Sequence, residues 1–239
     1  IHSGYLVLPD SPESLLEVGP PVPHRRREGR FIAPLLPIPM AKILYNFVGV
    51  SSPAGALSHK GFIGDTLGDI PTPPSGTEGG QADYDAIEAV DASRWQNAKF
   101  LDEGYPFKIF RWYIPPEIAL PWKFIVTHVG WVPLEGEPGY AGFYLKIYNV
   151  KTQSWELLDT SGSNLGADDV LTGSVKGVRR YYMDSDRYAW TGVRNVFQHT
   201  AITSKRWDNY TELELEWWAG MKRWGAGWGE GIEPPYGEV

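Results

Sequence analysis

The residues with the most obvious chemical capacity are acidic: Asp168-Asp169, the Asp184-Ser185-Asp186 stretch, and Glu156. Two carboxylates held several ångströms apart are enough to hydrolyse a glycosidic bond. These positions therefore define one reading, a glycan-active hydrolase. Asp184 and Asp186 also offer oxygens of the kind calcium takes. Turns use the same residues to satisfy nearby backbone N–H groups, and turn chemistry accounts for both stretches without a metal. His128 and His199, with three other scattered histidines, show neither an H-x-H spacing nor a cysteine partner, so zinc is not expected. The chain has no P-loop, dinucleotide fingerprint, HExxH helix or G-x-S-x-G elbow. The expectation is a non-catalytic protein without a cofactor.

Aromatic residues are the stronger candidates. The chain holds 11 Trp and 13 Tyr in 239 residues. A sugar presents an apolar ring face that stacks on such side chains while its hydroxyls seek polar neighbours. Trp95, Trp131, Trp190 and Trp207 fall near loops or strand ends, beside Arg94, Glu135, Arg194 and Asp208. With Tyr144 and Tyr148 they form the candidate ligand-binding set. The alternative is that they fill the ends of the fold or meet another subunit.

The elements that must carry these residues read as strands. "YDAIEAV" (84–90), "FKIFRWYI" (107–114), "KFIVTHVGWV" (123–132), "GFYLKIYNV" (142–150), "SWELLD" (154–159), "YAWTGVRNVF" (188–197) and "TELELEWW" (211–218) are each bounded by turn residues. Short strands at regular intervals, without a long 3.6-residue period, indicate an all-β antiparallel sandwich or jelly roll. In the last stretch Thr211, Leu213, Leu215 and Trp217 share one face, and Glu212, Glu214 and Glu216 the other. "LKIYNVKTQSWELL" (145–158) reads as a hairpin. Trp155 is expected in the core with Leu157, and Tyr144, Lys146 and Tyr148 on the contact surface.

Before residue 83 the chain reads differently. Prolines crowd residues 9–39, which indicates an irregular arm, and "AKILYNFVGV" (41–50) is a weak strand signal. Met40 resembles a natural start, so residues 1–39 are expected to lie outside the folded unit. Ser51 to Asp83 is rich in Gly, Pro, Ser and Thr and reads as loop or linker, and residues 219–239 as an irregular aromatic tail. The expected organisation is an arm and linker over 1–82, a sandwich over 83–218 and a tail over 219–239.

A formal net charge of −7 argues against a nucleic-acid partner, whose phosphates need clustered Lys and Arg. No apolar run approaches the roughly eighteen residues of a spanning helix, so membrane insertion is not expected. Cysteine is absent, so burial rather than disulfides must hold the fold.

"YNVKTQSWELL" is similar to a segment of kelch propeller blades, but a propeller would repeat it and this chain has one copy. Residues 83–218 more closely resemble the galactose-binding-like β-sandwich modules of phage structural proteins and of prokaryotic and archaeal surface proteins. The resemblance rests on Asp91-Ala92-Ser93-Arg94-Trp95, Val129-Gly130-Trp131, the hairpin from Leu145 to Leu158, Asp168 through Val175, Tyr181-Tyr182-Met183 and Tyr210 through Leu215, in that order. It implies a non-catalytic structural or attachment module of a virion or extracellular assembly. Its partners would be its own copies, other subunits or glycans. A carbohydrate-binding module is the alternative.

Overall fold

The computed structural model describes residues 40–90, 93–96, 104–118, 121–131, 142–162, 168–176, 179–196 and 207–218. Within them the elements are β1 (Met40–Tyr45), β2 (Lys60–Thr66), β3 (Thr77–Glu78), α1 (Gln81–Asp85), β4 (Trp95–Gln96), β5 (Tyr105–Tyr113) and β6 (Pro121–Trp131). They continue as β7 (Phe143–Asn149), β8 (Ser154–Thr160), β9 (Asp169–Lys176), α2 (Arg179–Tyr182), β10 (Tyr188–Asn195) and β11 (Trp207–Trp218). One sheet runs β1-β11-β6-β9 with β4 also on β11; the other runs β3-β2-β5-β10-β7-β8. The strand pairs are antiparallel. This is an all-β sandwich. Among the described residues no helix is long and apolar enough to cross a membrane.

The core forms where the two sheets face each other. Phe110 and Trp112 of β5, Leu145 and Ile147 of β7 and Val193 of β10 meet Phe124 and Val126 of β6 and Leu213 and Leu215 of β11. Each such side chain contributes about 1.5–3 kcal/mol when fully buried. Lys108, His128 and Asp208 sit among these apolar groups with no solvent exposure. The Lys108 ammonium touches the Asp208 carboxylate, donates to the Trp95 carbonyl at 2.5 Å and lies 4.6 Å from the Trp95 ring centre. His128 Nε2 is 2.7 Å from the other Asp208 oxygen. A buried ion pair adds little net stability, but losing one partner costs about 3–5 kcal/mol, so the cluster fixes which strands face each other.

β11 keeps the alternation its sequence shows, with Thr211, Leu213 and Leu215 buried. On its other face Glu214 and Glu216 pair with Lys42 of β1 at 2.8 and 2.9 Å, and Lys123 of β6 reaches Glu216 at 3.3 Å. Lys42 holds the Glu216 carboxyl below its ordinary value, against the cost of burial.

β1 falls on the strand signal at 41–50, and three other elements depart from the sequence expectation. β2 and β3 belong to the six-stranded sheet, so residues 51–82 supply strands as well as loop. β2 (KGFIGDT) escapes a propensity reading because two glycines interrupt it, and both are needed. A Cβ at Gly61 would fall 2.7 Å from the Trp95 ring, and one at Gly64 2.5 Å from the Phe107 ring. "YDAIEAV" opens in a short helix instead of a strand. Asp83 accepts the Gly80 N–H at 2.8 Å, and Tyr84 and Ile87, three residues apart, both face the core.

His59 accepts the Tyr113 N–H at 3.2 Å and packs against Tyr45 and Trp112, with ring centres at 5.1 and 5.4 Å. Burial lowers its pKa from 6.5 to about 4. Between these values the unfolded chain binds a proton that the folded chain refuses, so stability falls as pH drops from about 6.5 towards 4 and is unaffected above. Glu216 contributes the same sign in a lower window, below its ordinary 4.5. Urea denaturation across pH 7 to 4 is expected to show this loss, and His59→Asn, which keeps an acceptor for Tyr113, to flatten it. Gly173 is a separate test, because a Cβ there would lie 2.9 Å from the Leu158 carbonyl oxygen. Gly173→Ala is expected to cost about 1–3 kcal/mol by the same assay.

Candidate functional site

The outer face of the six-stranded sheet is where aromatic and cationic side chains gather. β5 is buried on both sides: while Lys108, Phe110 and Trp112 point into the sandwich, Phe107 and Ile109 form a second apolar cluster with Ile70. Phe62, Trp155 and Trp190 pack against it. The segment after β2 covers this cluster. Ile70 seats in it at 2 % exposure, and Trp155 Nε1 donates to the Pro71 carbonyl at 3.0 Å.

Beside the cluster Arg194 of β10 stands opposite Tyr144 of β7, and Lys146 of β7 opposite Leu157 of β8. These four side chains line a cleft of about 290 Å³. The Arg194 guanidinium lies 4.4 Å from the Tyr105 ring centre and 5.2 Å from that of Tyr144. Lys146 Nζ lies 5.6 Å from the Tyr144 ring. Asp69, half exposed, reaches in with Oδ2 at 2.5 Å from Lys146 and Oδ1 at 3.5 Å from Arg194. Among the described residues a single carboxylate faces these two cations, which leaves the group an excess positive charge in an otherwise acidic protein.

A second group continues along the same face. Arg111 stacks over Tyr188 at 4.2 Å and lies 5.6 Å from the Trp190 ring. Trp190 Nε1 donates to Asp184 at 3.2 Å, and the Tyr188 N–H donates to the other oxygen of that carboxylate at 2.8 Å.

Of the residues singled out by sequence, Tyr144, Tyr148, Trp190 and Arg194 share this outer face, and Tyr144 and Arg194 are direct cross-strand partners. Tyr148 is only 6 % exposed, its ring centre 5.3 Å from that of Trp155, and burial pushes its pKa up. Trp95 is 1 % exposed in the core and cannot meet a ligand from solvent. Trp131 and Trp207 are backbone partners at the ends of β6 and β11; their side chains lie outside the described residues. Asp184 works as a turn acceptor, and Asp186 is exposed beside it. Among the described residues no three His, Asp or Glu side chains gather as a metal would require.

Two of the carboxylates considered for hydrolysis, Glu156 and Asp168, are held elsewhere. Glu156 accepts from Asn149 at 2.6 Å and from the Tyr182 hydroxyl at 2.8 Å. Asp168 pairs with Arg94 and accepts from Asn209 at 3.1 Å.

Trp155 corrects the hairpin reading. Its cross-strand partner is Tyr148, and partners across a ladder point to the same face. The turn holds Asn149 Oδ1 against the N–H groups of Lys151 and Thr152 at 3.0 and 3.1 Å. It brings even-numbered β7 residues opposite odd-numbered β8 residues, so Trp155 joins Tyr148 and Lys146 on the outer face. Lys146 was expected on the contact surface; Leu157, expected in the core with Trp155, is exposed on the same outer face opposite Lys146, and Asp69, Tyr105 and Arg111 carried no local signal. The signal of Leu157, Tyr105 and Arg111 lies in the register, where odd-numbered residues of β5 face the same side as even-numbered residues of β10, and Asp69 arrives from a connection.

No protein-family model and no curated protein matches the chain. Similar solved structures include chitosan-binding module 1 from a chitosanase/glucanase of Paenibacillus sp. IK-5. It is 12% identical over 71% of this chain and 98% of that one, with a TM-score of 0.35. A structure described for carbohydrate-binding modules of the β-sandwich superfamily is also 12% identical, over 73% of this chain and 56% of that one, at 0.31. A Stig cyclase from Fischerella sp. TAU is 12% identical over 77% of this chain and 91% of that one, at 0.29. At these identities and scores the likenesses decide nothing about what this chain binds.

Gly192 lets Ile70 and Trp155 lie flat on the sheet, since a Cβ there would come within 2.8 and 3.1 Å of them. Gly192→Val is expected to lift the 67–71 segment. Hydrogen exchange at its amides should rise severalfold and tryptophan emission shift to the red, with β6 and β11 still protected.

Proposed function

We propose that this chain is a non-catalytic, glycan-binding β-sandwich module whose ligand lies along the outer face of the six-stranded sheet. The observation that carries this reading is the cleft bounded by the Tyr144 ring, Leu157, Lys146 and Arg194. It pairs an apolar wall for a sugar ring with cationic donors for hydroxyl or carboxylate oxygens. The lining residues sit on strands, so little is lost in ordering them on binding. The galactose-binding-like resemblance of residues 83–218 fits a module of this kind. Its setting, a virion or an extracellular or cell surface where it meets its own copies or other subunits, is part of the same proposal.

Hydrolysis fits less well, because Glu156, Asp168 and Asp184 are engaged away from the cleft. Glycan-array screening followed by calorimetry tests the reading. Arg194→Ala and Tyr144→Ala are each expected to weaken a hit by about tenfold or more, equivalent to about 1.4 kcal/mol. Glu214→Gln, on the outer face of the other sheet, should leave it unchanged. A blank array, or a hit indifferent to both cleft variants, would refute the proposal.

A further inference from the structure

We propose that Lys108 and Asp208 mature into an intramolecular amide cross-link between the two sheets. Lys108 lies on β5 of the six-stranded sheet and Asp208 on β11 of the other, 100 positions apart in sequence. Both side chains have zero exposure and are in contact. Nζ touches Oδ2, an oxygen bonded directly to the carboxyl carbon. The Trp95 carbonyl, accepting from Nζ at 2.5 Å, and the Trp95 ring hold the amine in place. His128 Nε2 lies 2.7 Å from Oδ1. The imidazole is itself fixed between Phe110 and Phe143, with ring centres at 5.7 and 5.5 Å.

The surroundings favour condensation. An ammonium and a carboxylate with no access to water pay a heavy desolvation cost, and passing one proton from Nζ to Oδ2 relieves it by leaving a neutral amine beside a neutral acid. The Nζ lone pair then bonds to the carboxyl carbon, while His128, protonated at Nε2, donates to Oδ1 and steadies the charge developing there. The C–Oδ2 bond breaks, and Oδ2 departs as water with its own proton and one from Nζ. The products are one amide and one water, with nothing oxidised or reduced. Held contact supplies the high effective concentration that an uncatalysed condensation in water lacks, and burial protects the amide from hydrolysis. In a chain without cysteine, this would be a covalent tie across the sandwich.

Intact-mass measurement of the denatured full chain, followed by peptide mapping, decides the matter. The expected result is a mass one water below that of the sequence and a branched peptide joining Lys108 to Asp208. Lys108→Arg keeps a cation in place but cannot form this amide, and is expected to return the full sequence mass. A wild-type chain at full mass, with Lys108 and Asp208 in separate linear peptides, overturns the proposal. So does a water loss that persists in Lys108→Arg. The wild-type peptide map needs no variant, so it stands even if Lys108→Arg fails to fold.

Discussion

A central strand that is apolar on both faces must be covered twice, and the double burial of β5 sets the plan of this protein. Its inward side chains, Phe110 and Trp112, require a facing sheet, which β6 and β11 provide. Its outward side chains, Phe107 and Ile109, require a second cover, and Ile70, Phe62, Trp155 and Trp190 supply it. Strands solvated on one side do not impose this demand. Because the outer face must be covered near β5, its aromatic residues are held rigidly, and the neighbouring strands inherit a stable platform.

On that platform, charge and ring stacking are interleaved. Arg111 and Arg194 each lie against tyrosine rings, contacts that are worth more where water is partly excluded. Such stacking fixes the guanidinium planes and spends little of their hydrogen-bonding capacity. Donors on such a face are already aimed, so little ordering cost would remain for any group that came to meet them.

The parts of this architecture visible in the sequence are those encoded by local period. β11 announces itself because its glutamates alternate strictly with buried residues, and β7 and β10 through their aromatic and β-branched content. β2 is hidden because its glycines, required where the Trp95 and Phe107 rings press on the backbone, look like loop residues. Tyr144 and Arg194 are each legible as candidates. Their meeting is not, because the β7–β10 pairing joins residues far apart in the chain. Trp155 shows the same limit at short range: one position of register decides its face, and the pairing set by the turn decides the register.

The segment following β2 carries two duties in adjacent residues. Ile70 anchors it to the sheet, and Asp69 sets the charge balance between Lys146 and Arg194. The side chain that adjusts the cleft is therefore contributed by a connection and not by a strand. The charge of the cleft is thereby separated from its scaffold. A substitution at position 69 would change the sign and reach of the group that faces Lys146 and Arg194, while the ladder of β5, β7 and β10 stays as it is.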